Sequence, residues 1–190
     1  MNQARTTPVY AMLLGISAVL LLVLPFVSTF DDLLTSVGMK LGIAAPLQLI
    51  VPAEVRFTVA LLGWLGVHAA AAGNQLVVWN STGAPQTLFI SWNCVGWQSL
   101  ILLALSLVVG LRGQMSPWSR LEIISVGIMG TILVNLVRIA VVCLLAATGG
   151  YLPAVLFHDY GGTLLIVGWL FSFWFVAFTW LAPSVSPARS

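Results

Sequence analysis

Charge is what this chain has least of. Only 6% of its 190 residues are Asp, Glu, Lys or Arg, against about 25% in soluble domains. With 60% hydrophobic residues, a globule of this size lacks the polar side chains to coat its own surface. That excludes a soluble domain and points to an integral membrane protein in contact with the lipid bilayer. Cysteine is nearly absent as well. Cys94 and Cys143 fall on different apolar runs, so there is no disulfide framework. No group of His, Cys, Asp and Glu has metal-ligand spacing, and no glycine-rich loop could cradle a phosphate, so neither metal nor organic cofactor is implied. The net charge of +2 comes without a basic run, which gives no reason to expect nucleic acid. Repeats, low-complexity tracts and soluble domains are also missing, and residues 1–190 read as a single integral membrane domain.

What is present is a series of apolar runs with polar punctuation. They predict an all-α polytopic membrane protein with about six transmembrane helices, at roughly 9–30, 33–51, 57–72, 94–111, 121–147 and 162–182. The first run, Val9 to Phe30, is too long for a signal-peptide core and has no clear cleavage site, so it is expected to be a retained helix. The eight Trp suit the bilayer interfaces. Residues 76–91 differ from their surroundings. Leu-Val-Val-Trp, a turn-rich Asn-Ser-Thr-Gly-Ala-Pro, then Gln-Thr-Leu-Phe-Ile-Ser predict a short β-hairpin. Bare strand edges are not tolerated in lipid, so the hairpin belongs at the water interface. Asn80-Ser81-Thr82 matches a glycosylation acceptor, but turn chemistry accounts for it.

Short loops rich in Lys and Arg stay in the cytoplasm. With all six runs crossing and the N-terminus inside, Arg5, Arg56, Arg112, Arg120 and Arg189 all fall on the cytoplasmic side. If 33–51 instead lay on the surface, no orientation would place every basic loop inside. Lys40 makes that second helix the weakest of the six. This topology makes the chain a multi-pass protein of the plasma or inner membrane, both termini cytoplasmic, the hairpin extracytoplasmic.

Three chemically capable side chains then share the outer side. Cys94 opens an apolar run, where a helix N-terminus favours the thiolate, and Gly96 lets a backbone or substrate approach it. Arg138 lies 17 residues after Leu121, roughly 26 Å along a helix at ~1.5 Å per residue, near the outer edge of a ~30 Å hydrocarbon core. Charge at that depth is costly and no positive-inside role explains it. Asn135 shares its helix face and could orient the guanidinium or bond between helices. His158 precedes Asp159, which could set its tautomer or cap the last helix. Taken singly, each has an ordinary reading: a small buried hydrophobe, a structural charge, an interfacial histidine. Together they supply what thiol acyl transfer needs, namely a nucleophile, a base and a cation for the oxyanion. Cys143, within Ala-Val-Val-Cys-Leu-Leu-Ala, reads as packing, and His68 is the second-ranked histidine.

These residues resemble the pattern of the exosortase/archaeosortase family, membrane proteins proposed to be cysteine transpeptidases. The pattern is Cys followed closely by Gly at a helix start, Asn-x-x-Arg in a later helix, and His in the next outer loop. Here it is Cys94 with Gly96, Asn135 with Arg138, and His158. The likeness covers roughly residues 60–180, and the first two helices carry no family signal. Val95 stands where many relatives have a small residue, Trp97 is bulky, and relatives are often longer. The resemblance implies substrates that are membrane proteins with a C-terminal signal of short motif, transmembrane helix and basic cluster. It implies cleavage near the outer membrane surface through a Cys94 thioester, with His158 as base, then acid, and Arg138 stabilising the intermediate or alternatively binding a substrate carboxylate. The acceptor would be water or an amine such as a lipid head group. Two rival readings use the same residues: a non-catalytic assembly subunit with Arg138 and His158 as contacts, or a small transporter with Arg138 as an ion site. No repeat of paired halves supports the transporter.

Overall fold

A computed structural model describes residues 6–80, 83–112 and 115–181. Arg5 and Arg189, Ser81 and Thr82 of the acceptor-like triplet, and residue 182 of the last expected helix lie outside them.

The first helix, α1 (Thr6–Lys40), runs unbroken through Asp31 and Asp32, where a boundary was expected. Aspartate lowers helix propensity only slightly, and neither Gly nor Pro stands at that point to stop the helix. The end comes at Lys40, a cation in the last turn, followed by a turn at 41–43. Two helices then follow, α2 (Ala44–Gln48) and α3 (Val51–Trp64). The expected helix at 33–51 is therefore divided. Its first part completes α1, and the rest opens a 21-residue apolar segment, Ala44–Trp64.

The helix expected to reach residue 72 stops at Trp64. Gly66 takes a left-handed φ of 76°, and Val67 N–H turns back to bond Leu62 O at 2.9 Å, a closure that satisfies the last carbonyls. Ala69–Ala72 then forms strand β1, although a run of alanine has the highest helix propensity. It pairs antiparallel with β2 (Gln75–Trp79), which pairs with β3 (Pro85–Phe89), giving the order β1-β2-β3. The hairpin thus stands at the expected residues with a third strand added. Strand hydrogen bonds formed with β2 override the local preference of β1. Leu76 and Val78, alternate residues of β2, are fully buried and pack with Val51, Val55 and Leu62 of α3 and with Ile139 and Cys143 of the long helix that follows.

A 3₁₀ turn, Trp92–Val95, precedes α4 (Trp97–Gly110). Next is α5 (Pro117–Gly149), opened by Ser116, whose side chain accepts from Ser119 N–H at 3.1 Å, with Pro117 at the first helical position. After Gly150 the chain is helical again through α6 (Tyr151–Leu156), a π turn (Phe157–Gly161), α7 (Gly162–Val176) and a second π turn (Ala177–Leu181). Leu103, Ile123, Phe173 and Ala177 form a second core among α4, α5 and the last helical segment. Gly130 lets the Trp169 ring lie against α5, where the indole N–H donates to Thr131 Oγ1 at 2.9 Å. Small residues and polar bonds of this kind hold helices together where lipid removes the hydrophobic drive.

The protein is therefore mostly helical with a small three-stranded sheet. Among the described residues, four segments are long and apolar enough to cross a bilayer: Ala44–Trp64, Trp92–Gly110, Pro117–Gly149 and Tyr151–Leu181. The expected count of about six is not reproduced.

Candidate functional site

The turn Trp92–Val95 carries Cys94, whose N–H bonds Ser91 O at 2.9 Å. Cys94 therefore sits one turn ahead of α4 and not in its first turn. Gly96 links the two with φ of 78°. Four elements tie this turn down. From α1, Thr35 Oγ1 donates to Asn93 Oδ1 at 3.0 Å. From α2, Gln48 Oε1 accepts from Trp92 N–H at 3.1 Å. From α4, Gln98 Nε2 donates to Asn93 Oδ1. From α5, Asn135 Nδ2 donates to Cys94 O at 2.8 Å. This is what residues 33–48 do in the fold: they clamp the cysteine turn.

Asn135 is 1% exposed and also donates to Glu54 Oε1 at 2.7 Å. Of its two expected roles it takes the bond between helices, joining α3 and the cysteine turn to α5. A Cβ at residue 96 would meet Asn135 Cγ at 2.7 Å, so the close approach expected at Gly96 is made by this amide.

His158 lies in the π turn, inside a continuous helical segment and not in a loop. Single π turns arise where one extra residue widens a helix, often at functional sites. Its Nδ1 is 2.9 Å from Asp159 Oδ1. The carboxylate accepts Nδ1–H, which leaves Nε2 as the free lone pair. The imidazole and the Cys94 thiol line the same cavities. Ser91 Oγ approaches the same sulfur at 3.7 Å. Arg138 Nη2 donates to His158 O at 3.3 Å, and Gly162 leaves space for the guanidinium stem to lie against the start of α7.

Cys94, Arg138 and His158 thus line one small, mostly apolar cavity of about 80 Å³ together with Leu88, Ile90 and Ile139. All three also face a more open, polar cavity of about 330 Å³, where Asp31, Asn93 and Asp159 join them. Asp31 of α1 and Arg138 attract across that space. The sulfur therefore stands between an apolar recess and a polar, carboxylate-lined one. A thiol facing an imidazole held by a carboxylate, with a guanidinium alongside, can lose its proton, attack a carbonyl and have the resulting oxyanion stabilised.

Cys143 is fully buried in the α3–sheet–α5 core, as its setting implied. His68 lines a separate cavity with Trp79 and Asn80. Among the described residues no three His, Cys, Asp or Glu side chains are grouped to hold a metal. Sequence reasoning did not single out Glu54, Thr35, Gln48 or Gln98. The available signal was an isolated polar residue inside an apolar run, which needs a partner in lipid.

The model of the transmembrane exosortase family matches residues 6–178, so the likeness reaches into the first helices, beyond the residues that carried it by motif. No curated protein and no solved structure matches the chain.

Proposed function

Because the chain belongs to the transmembrane exosortase family, we propose that it is a membrane cysteine transpeptidase or peptidase that cleaves C-terminal sorting signals of exported proteins. The site is read as extracytoplasmic because Cys94 and the short basic loop carrying Arg112 and Arg120 stand at opposite ends of α4, and such loops stay in the cytoplasm; the wider arginine distribution no longer serves, since it needed six crossings. One observation carries the reading: Cys94, His158 and Arg138 line one cavity, and Nδ1 of that imidazole lies 2.9 Å from the Asp159 carboxylate.

In this mechanism His158 Nε2 takes the Cys94 proton and the thiolate attacks the peptide carbonyl. The carbonyl π electrons move to oxygen, and Arg138 balances the charge of the tetrahedral intermediate. As the C–N bond breaks, the imidazolium returns its proton to the leaving amine, and a Cys94 thioester remains. Water, or an amine such as a lipid head group, then gives up a proton to His158, adds to the thioester and restores the thiol. The apolar recess would take the side chain next to the scissile bond, and the polar cavity would admit the acceptor.

Co-expression with a protein ending in short motif, apolar helix and basic cluster tests the assignment. The mature C-terminus, read by mass spectrometry, should be trimmed by the wild type and left intact by Cys94→Ala. Unchanged trimming by the alanine variant would remove Cys94 as nucleophile. It would favour a non-catalytic membrane subunit.

A further inference from the structure

Glu54 is a carboxyl group in α3, only 8% exposed, that the mechanism does not use. Its Oε1 accepts from Asn135 Nδ2 at 2.7 Å, and its Oε2 has no partner among the described residues. The same amide nitrogen donates to Cys94 O at 2.8 Å. An amide nitrogen carries two hydrogens, so these two bonds use it fully. The Oδ1 of Asn135 is buried and has no partner among the described residues, so none of them fixes the amide on its oxygen side. Turned about, it would set its oxygen against two acceptors, the Glu54 carboxyl and the Cys94 carbonyl. Glu54 is thus the side chain that, with the Cys94 carbonyl itself, orients the donor holding the cysteine turn. A glycine at residue 96 leaves the amide just enough room to reach.

A buried carboxyl in an apolar, membrane-length segment is costly unless it serves a purpose. A bond between helices alone would be made as well by a neutral amide or hydroxyl, without the cost of a buried carboxyl. We infer that Glu54 is a positioning residue for Cys94, acting through Asn135 to aim the thiol at His158. This rests on the reading of Cys94 as the nucleophile.

The test is the rate of alkylation of Cys94 by iodoacetamide from neutral to alkaline pH, in full-length protein carrying Cys143→Ala so that a single thiol reports. Glu54→Met, which fills the space without an acceptor, is expected to alkylate about tenfold more slowly near neutral pH, the scale of one lost hydrogen bond. Its rate–pH profile should move toward that of His158→Ala. Glu54→Gln keeps the acceptor and should retain most of the rate. In an Asn135→Ala background, Glu54→Met should add no further slowing. A wild-type profile for Glu54→Met overturns the proposal, as does full additivity with Asn135→Ala or a Gln variant as slow as Met. Failure of Glu54→Met to fold beside a normal Glu54→Gln also overturns it, by assigning Glu54 to fold stability alone. Alkylation needs no protein substrate. A failure of the cleavage reading would therefore show as trimming by Cys94→Ala and stay separate from this result.

Discussion

Asn135 packs so closely on Gly96 that even a methyl group at residue 96 would lie 2.7 Å from the amide carbon. That contact puts an α5 side chain under the cysteine turn and lets its nitrogen reach the Cys94 carbonyl. The glycine two residues after the cysteine is required twice, for its left-handed φ and for its missing Cβ.

Gly96→Ala should therefore damage both the fold and the site. Left-handed backbone costs a residue with a Cβ about 1–2 kcal/mol, and overpacking adds about 1–3 kcal/mol. Thermal unfolding in detergent should show the loss, and Cys94 alkylation should lose its dependence on His158. A variant as stable as wild type would mean that Asn135 can move aside freely.

His158→Ala removes the base and is expected to cut trimming of a sorting signal by about 10²–10⁴-fold. Asp159→Asn leaves the imidazole in place but without its carboxylate. Both partners of that pair are about half exposed, 47% and 53%, so solvent screens it and a smaller loss, about tenfold, is expected. Equal losses in the two variants would show that Asp159 does more than set the tautomer. Initial rates from a time course of product C-termini check the ranking.

Gly162→Ala tests Arg138 without altering its charge. A Cβ at residue 162 would press on the Arg138 stem and displace the guanidinium from the cavity it shares with Cys94. Trimming should fall by about tenfold or more, since small displacements of a stabilising group are costly. Protein abundance and melting temperature should change little. Arg138→Lys should also fail to restore activity, because an ammonium lacks the planar fork of donors. Full activity in both variants would exclude Arg138 from oxyanion stabilisation.

Cys143→Ala removes one buried sulfur from the α3–sheet–α5 core. A loss of about 1 kcal/mol is expected, the low end for core truncations, with trimming unaffected. Mass spectrometry of the native wild type after brief alkylation should find the label on Cys94 and none on Cys143. Rapid labelling at Cys143 would contradict its burial.

Much of the candidate site was legible as residue types. Intramembrane Arg138, Cys94 beside a glycine, and His158 beside a carboxylate each stood out because such groups are rare in apolar runs. Their partners were not legible. Glu54 is 81 residues from Asn135, and Thr35 is 58 from Asn93. No local pattern records bonds at that separation. The alanines at 69–72 misled for the same reason, since their partners lie across a turn in β2.

Composition by itself determined that this chain lives in a membrane and folds mainly as helices, because scarce charge and long apolar runs admit few other structures. The hairpin was fixed locally too, by turn residues between two short strand-like runs. Only the tertiary structure decided that residues 33–48 brace the cysteine turn, that His158 rides on a widened helix, and that a buried carboxyl steers the amide beneath Cys94. Local sequence sets which backbone conformations are affordable. Which polar groups meet is set by how the elements pack, where each buried donor must find an acceptor from another part of the chain.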